Sequence, residues 1–254
     1  MIESRRSSAS IELVADTTSN FLEQELYIAN AFASTTNFMM PIPDQGLRAE
    51  TSPSNSMFVE FLKLIEMITS LERQAVSDPS MMSGVTLVGL RKLFEGARSR
   101  VRTTHTRNYL HLRRAINCFY HAGLIYSCRA LLNDSETLKQ SEKEDRDRQI
   151  ATSTAELFQF LDFGELSKPT FAQDLVWPLF IAGTEASQKD DQELVVKKLQ
   201  QAMLGTGFTN CQHALDFLEE LWKRKTSLLP TVSELDWIDF AREWTSQGRT
   251  FFVF

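Results

Sequence analysis

Cysteine is scarce in this 254-residue chain: Cys118, Cys128 and Cys211 are widely spaced and odd in number. With no CxxC pair, neither a structural zinc site nor a disulfide framework is suggested. A reducing intracellular compartment fits best. Proline and glycine are also few, seven and ten, while Leu, Glu, Gln, Lys, Arg and Met are plentiful. That usage favours helices, because unbranched side chains lose little rotamer freedom in them. Long apolar runs are missing. The longest near-apolar run, Leu175 to Gly183, is about half the length that spans a bilayer, so no membrane contact is expected. The opening MIESRRSSAS has no apolar segment of signal-peptide length after its arginines. An excess of basic charge is absent too: 27 Lys and Arg stand against 33 Asp and Glu, a formal −6. This argues against a dedicated nucleic-acid binder.

What is there reads as helix. Hydrophobic residues make up 43% of the chain, far from the signature of disorder, and the length suffices for a sizeable core. Residues 1–10 are polar and expected to be disordered, and 11–254 read as one helical domain. Ile11 to Met40 reads as a helix, closed by a loop at Pro41, Pro43, Gly46 and Pro53. Asn55 or Ser56 could cap the next helix, whose Phe58, Phe61, Leu62, Ile65, Ile68 and Leu71 recur at spacings of three and four. Further helices are predicted over 84–102, 109–132, 142–163, 173–186, 190–204, 210–225 and 235–247. Asn210 is a good N-cap type. No alternating Val/Ile/Thr runs signal a sheet. The expectation is an all-α, single multi-helix domain of about eight to ten helices.

Catalytic constellations are wanting. His105, His111, His121 and His213 have neither i,i+4 nor HExxH spacing, so no zinc site is supported. The nucleophile-elbow, P-loop and dinucleotide motifs all lack their residues. Cys118 and Cys128 lie within an apolar helix and read as inert buried thiols. A terpene-cyclase reading would need magnesium ligands. Asn133 to Glu142 is off that spacing by one residue, and Asp190-Asp191 lacks a third aspartate. A solvated helix start is the plainer reading of these acids. Between Arg91 and Arg114, eight cations (Arg91, Lys92, Arg98, Arg100, Arg102, Arg107, Arg113, Arg114) face Glu95 alone. They are expected on solvated faces paired partly with Glu142 to Asp147, or as a surface for an acidic partner or nucleic acid.

The most individual segment is WPLFIAG. Pro178 inside an apolar helix predicts a kink, and Gly183 permits close helix approach. A buried core helix is the first reading, and one wall of a ligand pocket the second.

WPLFIAG followed by Thr184-Glu185-Ala186 resembles the signature of the fungal-specific transcription factor regulatory domain, the C-terminal domain of fungal zinc-cluster transcription factors. Phe58 to Gln74, His111 to Leu132, Asn210 to Lys225 and Glu234 to Trp244 resemble other helices of that family, in the same order. Thr184 stands where a cysteine is common. By this resemblance Trp177, Pro178, Gly183, Glu185, Trp222 and Trp237 are family-signature positions, with structural roles preferred over ligand roles. No catalytic residue, metal or cofactor is implied.

The resemblance implies a non-enzymatic regulatory domain in the nucleus, controlling RNA polymerase II transcription by responding to an effector or binding co-regulators. Its partners are expected to be transcriptional co-regulators or an apolar small-molecule effector. A homodimer also fits. DNA contact is expected only through a zinc-cluster module absent from this chain. The alternatives are a stand-alone helical module for a lipid or other apolar ligand and, less favoured, a terpene-cyclase-like enzyme. The tail Phe251 to Phe254 is expected to fold back near Trp237 and Trp244, since four exposed apolar residues would be costly.

Overall fold

Several helices here begin or end where the chain supplies partners for unpaired end groups. The computed structural model describes residues 31–36, 58–82, 84–101, 109–132, 138–162, 174–207, 209–227 and 235–249. Among these all regular structure is helical and no strand occurs, so the chain is an all-α domain. In chain order the α-helices are α1 (31–36), α2 (Val59–Ser77), α3 (Leu87–Arg100), α4 (Tyr109–Leu131) and α5 (Gln140–Leu161), then α6 (Val176–Glu185), α7 (Lys189–Thr206), α8 (Asn210–Ser227) and α9 (Trp237–Ser246). A 3-10 turn, Pro79–Met82, follows α2. The disordered start expected over 1–10, the cap at Asn55 or Ser56 and the Phe251 to Phe254 tail lie outside the described residues.

The ends follow local chemistry. Asp78 closes α2 in extended backbone and accepts the Ser80 N–H at 3.0 Å. The start expected at Gly84 falls later. Gly84 is a left-handed turn (φ 90°), and Thr86 caps α3 by accepting the Gly89 N–H at 3.1 Å. Glu142 reaches back to the Lys139 N–H at 3.0 Å, half of a capping box at the start of α5. Asn210 turns out to be the first helical residue of α8. The Thr209 carbonyl accepts from Gln212, and Asn210 Oδ1 takes the Cys211 N–H at 3.1 Å.

α4 is the axis, packed against α2, α3, α5 and α6. Its Gly123 is where α3 comes closest. A Cβ there would sit 2.1 Å from Phe94 Cε1, and Phe94 is wholly buried. Gly123→Ala is therefore expected to destabilise by about 1–3 kcal/mol through overpacking. A lower urea midpoint at unchanged slope would show it; an unchanged midpoint would mean that α3 yields freely.

α6 lies between α4, α5, α7 and α8, and every residue from Val176 to Thr184 is buried. Trp177, Leu179, Phe180 and Ile181 are each fully shielded, worth on the order of 1.5–3 kcal/mol apiece in transfer free energy. The kink expected at Pro178 loses its cause. Because α6 begins at Val176, Pro178 stands in the first turn, where a backbone N–H has no intrahelical partner in any case. The Leu179 N–H to Leu175 carbonyl bond, 2.9 Å, spans the ring undisturbed.

Candidate functional site

A helix as apolar as α6 still ends in unpaired carbonyls, and burial forces the protein to satisfy them. Two residues of α8 do so. Trp222 Nε1 donates to the Gly183 carbonyl at 2.8 Å, and Lys225 Nζ donates to the Thr184 carbonyl at 2.9 Å. The lysine also sets a cation against the negative end of the helix dipole. From α7, Gln192 Nε2 donates to the Ala186 carbonyl at 3.2 Å. Thr184 turns its own hydroxyl onto the Ile181 carbonyl at 2.8 Å.

Glu185 follows, an anion at the helix end that disfavours one. Arg129 of α4 offsets it with a forked pair, Nε at 3.0 Å and Nη2 at 2.6 Å from the two carboxylate oxygens. Asp236 lies on the other side, its Oδ2 4.0 Å from Arg129 Nη1. Its Oδ1 caps α9 by accepting the Ile238 N–H at 2.7 Å. All three side chains are at most 12% exposed. Burial pushes the Asp236 carboxyl up to about 6, against the lowering pull of Arg129.

The opposite end of α6 is tied to α1. Trp177 Nε1 donates to Thr35 Oγ1 at 3.2 Å, and its ring stacks with Phe32 at 5.5 Å. Aromatic contacts continue through Tyr126 to Trp237 (6.0 and 6.1 Å), and Trp237 meets Phe180 edge-on at 5.6 Å.

The structure thus brings Trp177, Gly183, Glu185, Trp222 and Trp237 to one hub around α6, with Pro178 buried in its first turn. Sequence reading missed Arg129, Asp236 and Lys225. The available signals were a single arginine in the predominantly apolar second half of α4, and an aspartate directly before Trp237.

A second polar joint links α2 to α9 and α1. Glu72 pairs with Arg242, Arg73 donates to the Ser34 carbonyl, and Thr69 shares a hydrogen bond with Tyr126 at 2.8 Å. Burial raises the Glu72 carboxyl, opposed by Arg242, and likewise raises the Tyr126 phenol.

Three cations of the basic stretch take partners other than the expected Glu142 to Asp147. Arg98 pairs with Glu95 at 2.8 Å and lies over the Tyr120 ring at 4.3 Å. Arg100 pairs with Glu60 at 2.7 Å, and Arg91 donates to Gln149. Asp145 and Asp147 take Arg148 and Arg146 instead. Arg98 finds its acid one turn away on α3 and Arg100 finds one on α2, while Asp145 and Asp147 are taken by arginines of α5 itself. Arg102 and Arg107 lie outside the described residues.

Among the described residues no group of three or more His, Cys, Asp or Glu could hold a metal. Asp190 and Asp191 stand in the first turn of α7, where the dipole favours acids. His121, partly buried against Phe160, is pushed down to about 4 by burial and Arg98. Burial raises all three thiols, Cys118 and Cys128 to about 12. None is exposed. We expect the native protein at about pH 8 to resist a thiol reagent, since the thiolate is the nucleophile. Three equivalents should react after denaturation; rapid native labelling would contradict the burial.

Fold and site together define an all-helical domain whose buried charges join its helices to one central segment. Residues 62–253 match the family described as Fungal specific transcription factor domain, and the chain belongs to that family. No curated protein and no solved structure matches it. Among the described residues no helix is long and apolar enough to cross a membrane.

Proposed function

We propose that this chain is the regulatory domain of a fungal transcription factor, acting on RNA polymerase II transcription in the nucleus by binding co-regulators on its outer helices. DNA contact then belongs to a zinc-cluster module, and the domain itself is non-enzymatic. The observation that carries this reading is the position of α6. Its faces are covered and its last carbonyls are taken by Trp222 and Lys225. Side chains so engaged hold the scaffold together, which leaves recognition to the surface.

An apolar effector is the second reading. A depression of about 380 Å³ beside α7 and α8, bordered by Lys189, Glu193, Val196, Lys197 and Trp222, is the specific opening that supports it. Its charged rim suits a protein contact better than an enclosed lipid site, which is typically apolar and concave.

Joining the chain to an unrelated DNA-binding module, with a reporter in fungal cells, tests the proposal. Reporter output should change several-fold relative to the module alone, and exposed substitutions on α3 or α7 should alter it without loss of protein. An unchanged reporter despite nuclear accumulation of the fusion would sink the reading.

A further inference from the structure

Among the described residues, side chains tie α9 to α2, α4, α6 and α8. Trp237 reaches Tyr126 and Phe180, Phe240 and Trp244 reach Phe217, and Arg242 reaches Glu72. Its N-terminal anchor is unbalanced. One guanidinium, Arg129 of α4, faces two buried carboxylates, Glu185 of α6 and Asp236 of α9. Glu185 takes the forked pair. Asp236 Oδ2 is buried with no hydrogen-bond donor among the described residues, 4.0 Å from Arg129.

We propose that α9 is a proton-coupled latch, closing on α4 and α6 with a proton bound to Oδ2 of Asp236 and opening more readily once that proton returns to water. Protonation leaves the cap intact, because Oδ1 still accepts the Ile238 N–H. It also removes one of two negative charges competing for Arg129. The other charges facing Asp236 are Glu185 and, on its own helix, Asp239, both of which raise it. Arg242 and Glu72 form the separate anchor further along α9.

The direction follows from linkage. An aspartate released into water titrates near about 3.9, whereas in the closed form burial holds it up at about 6. The closed state therefore binds the proton more tightly. Closure strengthens as pH falls through that interval and is insensitive to pH well above it. Opening uncovers the Tyr126, Phe180 and Phe217 surface, so acidification would conceal an apolar face and neutrality would free it.

Hydrogen exchange on the intact chain, read by mass spectrometry and corrected for intrinsic rates, is the test. Between about pH 7.5 and pH 5, α9 peptides should gain roughly tenfold protection. In Asp236→Asn, which keeps the capping oxygen and carries no charge, α9 should be protected at both pH values with most of the slope gone, the raised Glu72 carboxyl supplying what remains. Glu72→Gln should retain most of the slope. A wild-type α9 indifferent to pH overturns the proposal, as does a slope undiminished in Asp236→Asn. A slope abolished by Glu72→Gln alone overturns it by moving the proton to the other anchor. Should Asp236→Asn fail to fold, carboxyl titration of the wild type by carbon NMR decides. A midpoint for Asp236 at about 6 supports the latch, and one near the free value of about 3.9 overturns it.

Discussion

Replacing Arg129 by methionine is expected to lower the unfolding free energy by about 3–5 kcal/mol at neutral pH, the usual penalty for removing one member of a buried ion cluster. Methionine fills much the same space, so lost packing contributes little. What remains is Glu185 and Asp236, each about 7% exposed, facing one another without their shared cation. The loss should shrink as the solution is acidified, because Asp236, already raised by burial, loses the lowering pull of Arg129 and the folded state takes up a proton that the unfolded state does not. The triple variant, Arg129→Met with Glu185→Gln and Asp236→Asn, should recover most of the stability, since a buried triad is often no better than a neutral cluster of similar volume. Urea denaturation at two pH values measures both. A single variant that unfolds at the wild-type midpoint would show that the triad is solvated and carries no structural duty.

Gly183→Leu is expected to destabilise by about 1–3 kcal/mol or more, because the site has no room. A Cβ alone would stand 2.6 Å from Leu218 Cδ1 and 3.2 Å from Val195 Cγ1, and both neighbours are fully buried. Gly183→Ala separates two effects. Alanine gains up to about 1 kcal/mol in helix propensity, while the Leu218 methyl group must shift by several tenths of an ångström. A near-neutral alanine and a severely destabilised leucine are the expected pair. Displacement of α8 would also lengthen the Trp222 to Gly183 hydrogen bond, now 2.8 Å, so tryptophan emission should shift to the red in Gly183→Leu before unfolding. A leucine variant with the wild-type midpoint and emission would mean that α8 does not rest against Gly183.

Much of this architecture was legible in the residues. The three-and-four spacing of Phe61, Leu62, Ile65 and Ile68 marks the buried face of α2. The apolar run of α6 announces a central helix, because it leaves no face for water. The ordered blocks led to the family that the match over 62–253 shows. Helix starts were less legible. Thr86 and Asp236 do the capping for α3 and α9, yet neither stands out, since Ser, Thr and Asp are common throughout the chain and a cap is defined by backbone geometry as much as by type. Pro178 misled for a related reason. Its effect depends on its distance from the helix start, and a shift of about three residues turns a helix breaker into a well-placed first-turn residue.

The chain's own order of residues determined that the protein is helical, where its helices lie along the sequence, and that α6 is interior. Those properties depend on interactions within one or two turns, which periodicity and composition express directly. Only the tertiary structure decided that Arg129 meets Glu185, 56 residues away, that Asp236 competes for the same guanidinium, and that Trp222 and Lys225 close the end of α6. A cation in an apolar helix requires a partner, but 33 acidic residues could supply it. Charge names the need, and the crossing of α4, α6 and α9 selects which acids answer it.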